Sequence, residues 1–364
     1  ESGVYSLTYN ELKEMGLKNP ENVRIYGYGG AMLSQDFAQK MIDDVPAVRF
    51  FMEKGEDGVF GKGDYILFYG QGSFSWHYSS TQFVHTRNPY SDYGYYFLSD
   101  NAGEQLLMEE TALAETDEYT EVSTYTAYFV HEVDSVNLLD PTNGENGGGR
   151  EFYGERLTST KNKISFDFPF SHIVENSPIH CCVDVAAASG ATSTFTTRIN
   201  GQSQSFTTAG IPVSDFYTFA TTAHDICSYP SVGTGTQRVE IQFQNTASNK
   251  GWINYVEVAT TCQLQMTNDQ MALRTTTGYK QNTNLRYHLS NATDKTQIWN
   301  ITELDNIRCE ATTLTGSEKR FVGNNNKGIQ EYIAVNTNGK NWYKPTLVGK
   351  IDNQNLHHLS HIDY

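Results

Sequence analysis

The sequence predicts a mainly β, multidomain protein with very little helix. Aromatic residues and glycine are abundant while charged residues make up only 19% of the chain, a composition typical of secreted all-β modules. Short apolar runs bounded by glycine recur along the chain, as expected for strands joined by tight turns. A chain of 364 residues is longer than an ordinary domain with a single core. We therefore divide it into a β-rich N-terminal domain (1–118), a central jelly-roll-like β-sandwich (119–265) and a C-terminal β region (266–364).

Two short helices are predicted within the N-terminal domain. Asn10 is expected to cap a helix over residues 11–15. Ser34 is expected to cap a second helix over residues 35–42, in which Phe37 would belong to a buried apolar stripe. The rest of this domain reads as strands and turns.

The most distinctive stretch of the N-terminal domain runs from residue 56 to residue 72. Glycines give its polar first half the backbone freedom of a tight turn, and an apolar run over residues 65–69 follows. A five-residue apolar run that ends in a second glycine-rich turn predicts a strand buried on both faces. The landmark residues of this stretch are Gly58, Gly63, Asp64, Tyr65, Gly70 and Gly72.

Aromatic residues are concentrated between residues 74 and 100. Aromatic side chains at alternating strand positions usually pack sheets together. The alternative is a carbohydrate-binding platform, for which Trp76 and Trp252 are the candidate ligand-facing aromatics.

Regular alternation of apolar and polar residues begins at residue 164 and predicts the central sandwich. The dipeptide Asn200-Gly201 lies between two alternating segments and is the strongest short hairpin signal. Several short strands at this spacing predict a β-sandwich of jelly-roll type. The predicted strands are 164–168, 179–185, 193–199, 205–206, 217–221, 238–243 and 252–258, and in the C-terminal region 284–289, 297–301, 308–314, 330–335 and 345–351.

The charge and hydropathy of the chain exclude two classes of partner. The net charge is −16 and no cluster of Lys and Arg occurs, so nucleic acid is excluded. No apolar run approaches the roughly 20 residues that a membrane-spanning helix needs. For an exported protein, the signal peptide would already be missing from this sequence.

The five cysteines favour packing over chemistry. None belongs to a CxxC pair, which argues against structural zinc. A disulfide between two of Cys182, Cys227 and Cys262 remains open, but small buried side chains are the preferred interpretation. The weak candidate for a catalytic pair is Cys227 with His224, which we place in a loop before Pro230.

Metal ligands are not predicted either. His357, His358 and His361 include an i, i+4 pair but lack a third ligand and a helix to present them. Asp57 and Asp64 lack the spacing of a calcium loop, although an acidic β-protein leaves a structural calcium ion open. We therefore predict no catalytic residue, metal site or cofactor in these residues.

Several segments resemble the N-terminal region of the gingipain-like cysteine peptidases (peptidase family C25) and, within that family, the PorU-type sortases of the type IX secretion system. The resemblance follows the whole chain in matching order. It is carried by residues 3–12, 23–30, 57–72, 96–98, 149–155, 251–255, 298–302 and 353–357.

The resemblance implies that this chain is a non-catalytic portion of an exported, outer-membrane-associated protein at the cell surface. The catalytic Cys and His would belong to a following peptidase domain, so that Tyr364 would be a boundary with more chain beyond it. The implied partners are that downstream domain, secreted protein substrates and other secretion-system components. The alternative is a stand-alone surface adhesin or carbohydrate-binding β-sandwich protein.

Overall fold

The protein is built from β-sheets in three groups, and nearly all strand pairs are antiparallel. The composition predicts this mainly β structure. The computed structural model describes residues 1–38, 42, 44–101, 103–113, 118–138, 149–244 and 249–352. Within these ranges the chain is mainly β, and its helices are short.

The first group comprises two three-stranded sheets and a separate hairpin. The sheet orders are β1-β5-β4 and β3-β2-β8, and β6 pairs with β7. Its elements are β1 (Gly3–Thr8), α1 (Tyr9–Glu14), a 3₁₀ helix (Pro20–Asn22), β2 (Arg24–Gly29), β3 (Ala47–Val48), β4 (Phe50–Glu53), β5 (Tyr65–Gly70), β6 (Phe74–Tyr78), β7 (Phe83–Arg87) and β8 (Tyr95–Ser99).

The first helix begins earlier than predicted, and the second is not formed by the described residues. Thr8, not Asn10, caps α1: its hydroxyl accepts a hydrogen bond from the Glu11 N–H, and the Glu11 carboxylate accepts from the Thr8 N–H at 2.7 Å. Residues 35–38 are irregular or in a turn, and Phe37 is 91% exposed. Asp36 Oδ1 accepts a hydrogen bond from the Ala38 N–H at 2.9 Å, a local bond that competes with helix formation.

Strand β5 coincides with the predicted strand 65–69 and lies in the core between β1 and β4. Its last glycine, Gly70, is required by close packing, since a Cβ atom there would lie 2.8 Å from the Tyr5 ring. Gly63 has φ +104°, a conformation that side chains rarely adopt. The opening turn and the end of the strand therefore depend on glycine for different reasons.

The second group is a β-sandwich whose chain alternates between two antiparallel sheets. The sheet orders are β10-β18-β13-β16, with β11 also paired to β18, and β12-β17-β14-β15. Counted 1 to 8 without β11, these orders read 1-8-3-6 and 2-7-4-5, the arrangement of a jelly roll. The strands are β10 (Thr124–Glu132), β11 (Arg156–Leu157), β12 (Lys163–Phe168), β13 (Pro178–Ala188), β14 (Ser193–Ile199), β15 (Gln202–Thr208), β16 (Thr221–Pro230), β17 (Gln237–Gln244) and β18 (Lys250–Gln263).

The predicted hairpin turn is present, whereas one strand of the sandwich was misplaced. Asn200 and Gly201 join β14 to β15, both with positive φ (+52° and +80°). The prediction of a strand over 217–221 followed by a loop is wrong: 217–220 are irregular, and β16 occupies the assumed loop. Only Cys227 and Tyr229 of β16 are buried, so its apolar alternation is too weak to read.

The third group consists of two four-stranded sheets, and it shares a core with the first group. The orders are β19-β25-β21-β22 and β23-β24-β20-β9, where β9 runs parallel to β20. Val4 and Leu67 of the first group pack in one cluster with Trp299 and Val335. The strands are β9 (Thr120–Val122), β19 (Gln270–Leu273), β20 (Leu285–Leu289), β21 (Thr296–Asn300), β22 (Arg308–Cys309), β23 (Thr313–Thr315), β24 (Glu318–Gly323) and β25 (Tyr332–Asn336), with a 3₁₀ helix at Leu304–Asn306.

The end of the described chain departs from the prediction. Residues 345–351 form no strand, and Val348 is 81% exposed, so the apolar residues of this segment have no sheet to join. Across the described residues, no helix has both the length and the apolarity to cross a bilayer.

Candidate functional site

The hairpin β6–β7 docks on the sandwich through side chains rather than strand pairing. In the described part of the chain, its two strands pair only with each other. The Trp76 and Tyr128 ring centroids are 3.7 Å apart, and the Phe83 ring stacks on Tyr128 at 5.4 Å. The hairpin is therefore a small unit held by specific contacts on the outer face of β10 and β18.

His85 is the polar centre of this contact, and two carboxylates hold it from both sides. Its Nε2 lies 2.7 Å from Glu132 Oε2, and its Nδ1 contacts Glu257 Oε1. The His85 backbone N–H also donates to Glu257 Oε1, at 3.0 Å. The imidazole is only 6% exposed, so three distant parts of the sequence meet in a nearly dry site.

The two carboxylates keep the buried imidazole protonated. Burial by itself lowers the pKa of His85, but the hydrogen bonds to Glu132 and Glu257 outweigh it and raise that pKa to about 9. Both ring nitrogens are occupied as donors, so neither is available as a general base. His85 acts as a charged clasp between the hairpin and the sandwich.

A buried arginine fixes the other side of the hairpin. Arg274 is 7% exposed, and its Nη1 lies 3.0 Å from Glu331 Oε1. Its guanidinium lies 3.8 Å from the centre of the Tyr128 ring and 5.3 Å from that of Phe83. The hairpin is thus held at the point where all three groups of sheets meet.

A cleft of about 230 Å³ opens beside the clasp. Arg87 crosses its wall: its Nη1 donates to the Glu132 carbonyl at 2.9 Å, and its Nε lies 3.3 Å from Asp134 Oδ2. Burial raises the pKa of Asp134, which the nearby Arg87 charge opposes. Arg150 also lines the cleft, so side chains of both signs face this space.

A second buried acid lies next to a residue that lines the cleft. Asp184 accepts a hydrogen bond from the Asn254 Nδ2 at 3.0 Å, and burial raises its pKa to about 6. Charged groups of both signs suit the binding of a small charged group.

The two candidate ligand-facing aromatics differ in exposure. Trp76 lies in the hairpin, and Trp252 is too deeply buried to face a ligand. Trp252 is 0% exposed and packs in a cluster with Leu138, Tyr153 and Ala186, so it has no face for a ligand. Trp252 is buried because Leu138 and Tyr153, which lie outside the strands, cover this face of β18. Trp76 is half-buried against Tyr128 and His85.

The landmark residues shape the fold at a distance from the cleft. Asp64 Oδ2 accepts a hydrogen bond from the Gly61 N–H at 2.7 Å, and the Tyr65 hydroxyl donates to the Thr337 carbonyl. A Cβ atom at Gly72 would lie 3.0 Å from the Glu1 backbone. Gly58 has φ +70° in an exposed turn. None of the landmark residues lines the cleft.

The cysteine candidates do not form a catalytic pair. Cys227 and His224 lie three apart on strand β16, so their side chains point to opposite faces; Cys227 is buried and His224 is exposed. Burial raises the pKa of the Cys227 thiol to about 12. All five cysteines are free and buried, so no disulfide joins Cys182, Cys227 and Cys262 in this structure.

Metal candidates give no cluster either. Among the described residues, no group of three or more His, Cys, Asp and Glu side chains is arranged to hold a metal ion. Asp57 Oδ1 accepts from the Val59 N–H, which is the hydrogen bond of a turn. His357, His358 and His361 lie outside the described residues.

Little in the sequence indicates the clasp. Glu132 follows His85 by 47 residues in the sequence, and Glu257 follows it by 172 residues. The one local signal is a pair of basic residues, His85 and Arg87, on alternate positions of a strand that otherwise packs apolar side chains.

The fold defines a class of protein: three groups of β-sheets, the central one a jelly roll. Among solved structures, one of this class is the crystal structure of dimeric latent PorU from Porphyromonas gingivalis. It is 24% identical to this chain with a TM-score of 0.82, and the match covers 98% of this chain and 33% of that chain. The two share a fold, and this chain spans about a third of the length of PorU.

Two further solved structures are less similar. A carbohydrate-binding module, CBM36 in complex with calcium and xylotriose, is 14% identical over 36% of this chain and 98% of that chain, with a TM-score of 0.23. PNGF-II is 10% identical over 75% of this chain and 69% of that chain, with a TM-score of 0.24. Both TM-scores are too low to indicate a common fold. No protein-family model matches the sequence, and no curated protein is similar to it.

Proposed function

We propose that this chain is the non-catalytic N-terminal portion of a PorU-like cell-surface cysteine peptidase or sortase of the type IX secretion system. The observation that carries the proposal is the extent of the shared fold, which includes 98% of this chain but only 33% of the PorU chain. In this proposal the protein is exported and associated with the outer membrane. Its chemistry, attack of a Cys thiolate on a peptide bond, takes place in a following peptidase domain.

The state of the cysteines supports a non-catalytic role for these residues. The thiolate is the nucleophilic form of cysteine, and it needs a lowered pKa and access to substrate. Burial has the opposite effect here and raises the pKa of four thiols to about 12: Cys182, Cys227, Cys262 and Cys309. Burial also raises the pKa of Cys181 well above its usual value.

We further propose that the chain packs against the peptidase domain and helps to position secreted protein substrates. Large apolar side chains on one loop of the sandwich support an interaction role. Val213, Phe216 and Tyr217 are between 78% and 94% exposed, in a loop that Asp215 orders by accepting hydrogen bonds from the Tyr217 and Thr218 N–H groups. Aromatic side chains are enriched at protein interfaces.

A peptide-cleavage assay on the purified chain tests where the chemistry lies. We expect residues 1–364 to cleave no peptide from a broad substrate mixture, while the longer encoded protein cleaves some of them. The Cys227→Ser variant is the control for residual activity of the Cys227 thiol. Cleavage by the purified chain that disappears in Cys227→Ser would show that the assignment of a non-catalytic role is wrong.

A further inference from the structure

A second cavity, of about 430 Å³, lies in the third group of sheets, remote in sequence from the clasp. It is formed where β24 ends, where β25 begins and where β21 ends. Carboxamides are half of its ten lining residues: Asn284, Asn300, Asn324, Asn326 and Gln330. Such a concentration of amide groups in one cavity points to a ligand that both donates and accepts hydrogen bonds.

The loop that carries these amides is held in place by a buried residue. Asn325 is 0% exposed, and its Nδ2 donates to the Thr275 and Thr277 carbonyls, each at 2.9 Å. Its Oδ1 accepts from the Gln330 N–H at 2.8 Å. The neighbouring side chains are therefore presented by a loop that needs no ordering when a ligand binds.

Some of the amide groups are used within the protein and others are free. Asn300 Nδ2 donates to Glu310 Oε1 at 3.0 Å and to Gln330 Oε1 at 3.1 Å. Within the described chain, the Gln330 Nε2 and the Asn326 carboxamide have no protein partner, and neither has the Lys327 ammonium group. These free groups are the ones that a ligand would meet.

The charge and the aromatic content of the cavity narrow the class of ligand. One carboxylate, Glu310, and one ammonium group, Lys327, balance each other, which favours a neutral ligand. The one aromatic lining residue, Tyr332, is 1% exposed, and its ring packs on Tyr287 and Phe321. The cavity therefore exposes no aromatic ring on which a sugar could stack. Its lining suits a ligand that is held by hydrogen bonds to peptide groups better than it suits a sugar.

We infer that this cavity binds the backbone of an extended, uncharged polypeptide segment through the carboxamides of Asn326 and Gln330. An amide side chain carries a donor and an acceptor side by side, as an extended residue does with its N–H and C=O. The inference goes beyond the proposed function and does not depend on a downstream peptidase domain.

The test is titration of the full chain with a short peptide of Gly, Ser and Thr, blocked at both ends, followed by NMR of the labelled Asn and Gln side-chain amides. We expect saturable shifts of the Gln330 and Asn326 signals. The same peptide with N-methylated backbone should not bind, because it keeps the side chains but lacks the N–H donors. Asn326→Ala should weaken binding by about fivefold, the effect of one neutral hydrogen bond.

The matched control is Asn338→Ala, an exposed asparagine outside the cavity whose side chain makes no hydrogen bond within the described chain. It should bind the peptide like the unchanged protein. Absence of saturable shifts, equal binding of the N-methylated peptide, or equal weakening by both variants would overturn the inference. Binding of maltotriose in place of the peptide would overturn it in favour of a glycan site.

Discussion

The clasp at His85 predicts that the β6–β7 hairpin loosens in alkaline solution. Because the two carboxylates raise the pKa of His85 from 6.5 to about 9, the protonated imidazole stabilises the docked hairpin. The stabilisation is fully present below pH 6.5, the pKa of the unfolded state, and is lost as the pH rises through about 9. The side chain is 6% exposed, so water screens the contact little.

The size of the effect follows from the shift. A rise of the pKa from 6.5 to about 9 corresponds to about 3 kcal/mol, at about 1.4 kcal/mol per unit. His85→Gln removes the titrating group and leaves Glu132 and Glu257 buried without a cation. It should therefore lower the free energy of hairpin opening by about 3 kcal/mol near pH 6, and by much less near pH 10.

Hydrogen exchange of residues 74–87, corrected for the intrinsic pH dependence, measures this local opening. His77→Gln is the matched control, since His77 is exposed on the same hairpin. The unchanged protein should lose protection between about pH 6 and about pH 10, and His85→Gln should have lost it already at the lower pH. Equal protection of the unchanged protein at both ends of this range, or equal effects of His77→Gln and His85→Gln, would refute the clasp.

Three further predictions concern the junction, the second cavity and the cysteines. Arg274→Met removes the partner of Glu331 and should lower the free energy of unfolding in urea by about 3 kcal/mol. A loss no larger than that of an exposed Arg variant would contradict the stabilising role of Arg274. Gly323→Ala places a Cβ atom 2.2 Å from the Tyr332 hydroxyl and should cost about 2 kcal/mol of unfolding free energy. Gly328→Ala, with open space around its Cβ, should be neutral, and equal thermal stability of the two variants would contradict the packing. The five buried thiols should resist Ellman's reagent in the native protein and react after unfolding, so rapid native labelling would contradict their burial.

Local patterns in the sequence were sufficient for much of the fold. The apolar run 65–69 is strand β5, the Asn200-Gly201 dipeptide is a hairpin turn, and the predicted 193–199 is β14. In each case the residues that carry the sequence pattern are the same residues that form the strand or turn. The jelly-roll prediction also holds, because regular short strands leave few ways to close a two-sheet core.

Two of the misses share a cause, which is that burial and strand pairing depend on distant segments. Trp252 alternates in sequence with Val256 and Val258, but a register shift of the paired strand between Asp184 and Val185 separates them, and Trp252 packs instead with Leu138 and Tyr153. Residues 120–122 are assigned by sequence to the central domain, yet they form β9, which pairs with β20 of the third group. In this pair Arg286 lies beside Glu121, 165 residues away in the sequence, and donates a hydrogen bond to its carboxylate. The clasp depends on contacts of this kind, so no local motif could reveal it.

The most direct test of the central proposal is the coding frame that follows Tyr364. We expect translation to continue into a peptidase domain that contains a Cys and a His, and a protein that includes both parts to cleave peptides when residues 1–364 alone do not. A stop codon directly after Tyr364 would contradict the proposal.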